Sequence, residues 1–121
     1  MASVDEHLDQ FEHNLSVSSR LEASGDLDWA VTTLFYAALH LVQAYIVRHG
    51  LPADSHRQRE QQVLAHAELR QIADQYKALQ NQSESARYEC RRFSHEEFES
   101  IRNGSFTTVT THLRSLLGVS S

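Results

Sequence analysis

Apolar residues recur at intervals of three and four along most of the chain, which is the period of a helix with one buried face. Between Ser3 and Glu22, the residues Val4, Leu8, Phe11, Leu15 and Leu21, joined by Ser18, fall on one side. Ser3-Val-Asp-Glu6 fits a capping box, and Gly25 is placed to end this first helix. A second helix is expected from a cap at Asp26 or Asp28 to about His49, stopped by Gly50. Its apolar residues (Trp29, Val31, Leu34, Phe35, Ala37, Leu41, Val42, Ala44 and Ile46) cover most of its circumference, as in a helix central to a bundle or a dimer.

After the loop "GLPADS", Ser55 can cap a third helix carrying Val63, Leu64 and Ala67, and "LRQIADQYKAL" continues the helical period through Leu69, Ile72, Tyr76 and Leu79. The two pieces are either one continuous helix or two helices separated by a bend near His66. "NQSESARYECRRF" carries the faintest helical pattern and is expected to contain a turn. Ser94-His-Glu-Glu97 repeats the capping-box pattern and opens a last helix with Phe98, Ile101, Val109, Leu113 and Leu116, ending at Gly118. Asn103-Gly104 should kink or break it. The whole pattern predicts an all-α, up-and-down antiparallel bundle of four to five helices, forming one domain over residues 1–121.

One row of positions breaks the apolar surface of the second helix. Thr33, Tyr36, His40 and Gln43 are spaced by three, four and three residues and therefore share a face. Buried polar groups need partners. His56, Arg59, His66, Tyr76, Arg87 and Tyr88 are the candidates that other helices can supply. The row is either a hydrogen-bonded network that fixes helix register or the floor of a ligand site.

Composition narrows the choice of chemistry. The chain has 121 residues, one proline, four glycines and a net charge of −5, which suits long helices and offers no overall attraction for nucleic acid. The charge is uneven, however. Up to Asp28 seven acids face Arg20 alone, while "SHRQR" and "ARYECRRFSH" are locally basic. Arg57, Arg59, Arg87, Arg91 and Arg92 come from two segments that a helical hairpin can bring together, and a local basic patch can bind an anion even on an acidic protein. Cys90 is the only cysteine, so no internal disulfide can form. The acidic N-terminus has no signal-peptide core, and Thr32, Thr33, His40 and Gln43 interrupt the longest apolar run. The expected location is cytoplasmic, without membrane contact. Eight histidines raise the question of a metal, but none are paired as His-x-x-x-His. A cross-helix set of His40, His56 and His66 is the remaining geometry for one; no metal or other cofactor is expected. His7, His13, His49 and His112 are assigned to solvated faces, and Trp29 and Tyr45 to the core or a dimer interface.

"DLDWAVTTLFYAALHLVQAYIVRHG", followed by "SHRQR", Tyr76 and "ARY" at 86–88, resembles the HEPN superfamily (higher eukaryote and prokaryote nucleotide-binding helical domains) over roughly residues 5 to 117. The resemblance implies a helical bundle that pairs as a homodimer, binds RNA or a nucleotide, and occurs as a ribonuclease toxin or as the partner of a nucleotidyltransferase in toxin–antitoxin pairs. By it, the ligand-binding residues are Tyr36, His40, His56, Arg59, Tyr76, Arg87 and Tyr88, and the five arginines Arg57, Arg59, Arg87, Arg91 and Arg92 converge beside Tyr36 and His40 as a concave anion site. RNA-cutting members carry an arginine, a polar residue and a histidine within two turns, near the last long helix. Here Arg102-Asn103 is followed by no histidine until His112. Arg59 and His66, seven residues apart, are the substitute pair, with His40 as a further base. In such a site a histidine takes the 2′-hydroxyl proton and an arginine stabilises the phosphorane, with no metal. Two other readings stand beside this one: a catalytically inactive dimeric interaction module, and a metal-binding bundle.

Overall fold

The computed structural model describes residues 2–119. Helix α1 spans Val4–Ala23 and α2 spans Leu27–Arg48; then come α3, His56–Ala65, the single turn α4, Ala67–Arg70, and α5, Ala73–Tyr88. α6, His95–Ile101, runs through a π-helical turn, Arg102–Phe106, directly into α7, Thr107–Leu117. The fold is therefore all-α, a bundle of four long helical rods with α3 and α4 as short additions.

α2 is the hub, packed chiefly against α1, then α5 and α7. It carries no glycine or proline and buries Ala30, Val31, Leu34, Phe35, Leu41, Val42 and Ile46 almost completely. The helix is long and apolar enough in composition to cross a membrane, but most of it is covered by the other helices. Most of its apolar surface is thus covered within one chain, with Trp29 left 55% exposed. Contacts pair Ser18 with Ala30 and His7 with His40, which makes α1 and α2 antiparallel.

Helix ends follow the expected chemistry at three of four starts. Ser3 and Ser94 each close a full capping box, with Glu6 and Glu97, and Ser55 accepts from the Gln58 N–H. Asp26 occupies the cap position of α2 but makes no side-chain cap bond, and Asp28 lies inside the first turn. The stop at Gly50 is a left-handed residue, φ 64°, whose neighbour Leu51 bonds back to the Ile46 carbonyl. The same closure ends α5, but with Cys90 in the left-handed position, φ 57°. The expected turn lies there, after the helix has continued through Ala86-Arg87-Tyr88.

Two expectations about continuity change. Of the two alternatives at His66, the structure has the bend, since this residue is extended, φ −101° and ψ 124°. The segment after it breaks again at Gln71–Ile72, so the third helix does not run on to Leu79. In contrast, Asn103-Gly104 does not break the last helix; the π turn absorbs it.

Candidate functional site: the polar face of α2

Thr33, Tyr36, His40 and Gln43 line up as expected, but they are half-buried rather than dry. They form a strip of α2 left open between α1 on one side and α3 and α5 on the other. Each of the three larger residues is held by a different helix.

Tyr36 is held from α5. Arg87 donates from Nη1 to the Tyr36 hydroxyl at 2.8 Å, and its guanidinium lies 5.3 Å from the Tyr36 ring centre and 4.9 Å from that of Tyr88. The cation is thus flanked by two aromatic rings, an arrangement worth roughly 0.5–2 kcal/mol per ring according to exposure. Tyr88 itself is 74% exposed.

Gln43 is held from α3. Arg59 donates from Nε to Gln43 Oε1 at 2.9 Å and pairs through Nη1 with His56 Nδ1 at 2.8 Å. Since an arginine cannot accept, the His56 nitrogen must. Arg59 is the main tie between a weakly packed helix, of which only Val63 is buried, and the open strip.

His40 is held from α1, by a residue assigned from sequence to a solvated face. His7 is 8% exposed, and its Nδ1 lies 3.0 Å from His40 Nδ1. One of the two must carry the proton and the other the lone pair. Burial, then the neighbouring His7 and Arg59, push His40 down to about 4 from its ordinary 6.5. His7 is lowered as well, mainly by burial and further by Arg59, against the opposing charge of Glu6. The pair is neutral at pH 7. Two shallow depressions flank His7: one of about 410 Å³ that also touches His40, Glu6, Asp9 and His13, and one of about 340 Å³ with Gln43, Leu51 and Asp54.

Other expected members lie elsewhere. Tyr76 is in the core, its ring 5.6 Å from Phe35, with burial raising its hydroxyl pKa. His66 bonds Gln62 at the end of α3, and no hydrogen bond joins it to Arg59. Arg91 is tied to Gln82 and, at 2.8 Å, to Glu97; Arg92 lies 3.7 Å from Asp28; Arg57 is exposed. The expected five-arginine concavity is therefore an edge formed by Arg59 and Arg87. His40, His56 and His66 each pair with a different neighbour, and among the described residues no three metal-ligating side chains converge.

The Arg102/His112 motif is also taken apart. Arg102 bonds Glu22 on α1 at 2.6 Å, while His112, half-buried rather than solvated, donates to the Glu68 carbonyl at 2.6 Å. Tyr45 is in the core as expected and donates to Glu68 Oε1 at 2.7 Å; burial and that carboxylate push its hydroxyl up to about 12. Trp29 is not in the core but 55% exposed, one turn before Thr33 on the same face.

The sequence signal for His7 was there to be read. It falls three residues after Val4 and four before Phe11, inside the apolar face of α1. A family model described as the HEPN domain matches residues 4–104. No curated protein and no solved structure matches the chain.

Proposed function

The chain belongs to the HEPN domain family, and from that premise we propose that it binds a nucleotide or an RNA phosphate along the open strip of α2. The observation that carries this reading is the Arg87 guanidinium, flanked by Tyr36 and the exposed Tyr88. Arginine forks match phosphate oxygens, and an exposed ring beside one offers a face on which a base can stack. Arg59, held upright by Gln43, extends the positive edge along α2, while the acidic remainder of the surface confines an anion to it.

A second reading, metal-independent RNA cleavage, has one point in its favour: Arg59 acts on His40 from the same stretch of the strip. In that reading His40, or His66 after a movement of α3, takes the 2′-hydroxyl proton. A histidine held near 4 is a poor base at neutral pH, so binding is the stronger proposal. A third, structural role, as a silent module or the partner of a nucleotidyltransferase, requires no anion binding at all.

One titration separates these. A labelled RNA oligonucleotide and a mononucleotide are titrated in chelator at rising salt. Binding should weaken with salt. Arg59→Ala and Arg87→Ala should each reduce affinity by about tenfold, the loss of one charge-assisted contact. Salt-independent binding, or arginine variants equal to the parent chain, would remove this reading. Shortened RNA that depends on Arg59 would favour cleavage, and no binding would favour the silent module.

A further inference from the structure

We propose that the ligand of this strip is a dianionic phosphate monoester and that His7 is part of its site, the His7–His40 pair taking up one proton as the ligand binds; this rests on the reading of Arg59 and Arg87 as an anion-binding edge. The argument begins with the shared bond. Two Nδ1 atoms at 3.0 Å can have only one proton between them. In the neutral pair the ring that donates has a bare Nε2, and the ring that accepts has a protonated one. A single added proton goes to the bare Nε2. The bond survives, both Nε2 atoms become donors, and the pair carries one positive charge. A second proton would fill both Nδ1 atoms and break the contact. The pair therefore has room for one proton within its present geometry.

The surrounding charges decide when that proton is held. Arg59 comes from α3, one helical turn along the strip at Gln43, and Arg87 comes from α5 at Tyr36. Glu6, Asp9 and His13 line the outer depression on the α1 side, and Asp54 lines the other. The Glu6 carboxylate is already engaged by the Ser3 N–H at 3.0 Å. Without a ligand, burial and Arg59 keep the extra proton off. Arg87 lies at Tyr36, on the other side of His40 from Arg59, between the Tyr36 and Tyr88 rings; Arg59 is the arginine that acts on both histidines, and it matches the one negative charge of a phosphodiester there. A phosphate monoester carries close to two at neutral pH. Its second charge is matched when the histidine pair becomes cationic. Anion and proton then bind together, each strengthening the other by linkage.

The test is calorimetric titration with adenosine 5′-monophosphate and with the dinucleoside phosphodiester ApA at pH 7.5, in phosphate-free buffers of different ionisation enthalpy. The monoester should bind about tenfold more tightly and take up close to ~1 proton, while ApA takes up none. His7→Gln and His40→Gln should each abolish the uptake and bring the monoester to the affinity of ApA; their helical circular dichroism and melting establish that they fold. His95→Gln, exposed at the start of α6 and away from both depressions, should match the parent. Equal affinities without proton uptake, or uptake that survives both substitutions, would overturn the proposal and leave the anion site standing. Failure of both ligands to bind the parent chain would remove the site and the proposal together.

Discussion

His40 shows how a residue that looks misplaced in a core helix can be a boundary residue. It lies where α2 is uncovered, and the price of its partial burial is lost basicity rather than an unsatisfied bond. A pH dependence follows. In the unfolded chain both histidines take up protons near 6.5, whereas in the folded chain His40 does so only near about 4, with His7 also lowered. The unfolded state thus binds more protons in this window, so their contribution is complete above about 6.5 and declines as pH falls towards about 4. The His40 shift corresponds to roughly 3 kcal/mol at most. The urea midpoint should drop between pH 7.5 and 5, and His40→Gln should flatten that drop. A parent midpoint that is level across this range would show that the pair does not titrate as described. The polar row, Tyr36 and Arg87 were legible because helical spacing and the resemblance both marked them. The His7 partnership was not, since spacing on α1 cannot reveal which face of α2 it meets.

At the scale of elements, local chemistry predicts ends well and continuity less well. Ser3 and Ser94 announce their helices through contacts within one turn, which sequence displays directly. The π turn depends on a distant requirement. At about 100° per residue Phe98 and Phe106 would sit roughly 80° apart on one helix. The wider turn, bonding residue to fifth residue, swings Phe106 back so that both are buried. Asn103-Gly104 therefore signals an irregularity without saying which kind. Three substitutions test the ends. Ser94→Ala should lower stability by about 1 kcal/mol, while Asp26→Ala should change it by only a few tenths, because Asp26 makes no cap bond. Cys90→Gly should stabilise by roughly 0.5–1 kcal/mol, since a left-handed φ strains any residue with a Cβ and favours glycine. Thermal melts of the three variants give the order, and a Cys90→Gly chain less stable than the parent would mean that the thiol has a role its exposure does not suggest.

For the whole molecule, the four-rod bundle was legible because apolar periodicity survives in every long segment. What covers what was not, because the pattern of α2 is the same for a monomer core and for an interface. The structure answers for the interior: Leu34, Leu41 and Val42 are enclosed by the chain's own helices. The expectation of a homodimer must then rest on what remains outside. Trp29 is the strongest such residue, a large ring 55% exposed, close to the start of α2 and on the same face as the polar strip. Aromatic residues of this size are favoured anchors of protein contacts. A symmetric pair meeting at Trp29 would set two strips close together and double the positive edge offered to an RNA strand. Light scattering at tens of micromolar should give the mass of a dimer, and Trp29→Glu should give that of a monomer with unchanged helicity. A dimer that persists in Trp29→Glu would move the interface elsewhere. A parent chain that is already monomeric would leave each strip to act alone, and RNA affinity should then be the same for Trp29→Glu as for the parent unless the indole itself stacks on a base.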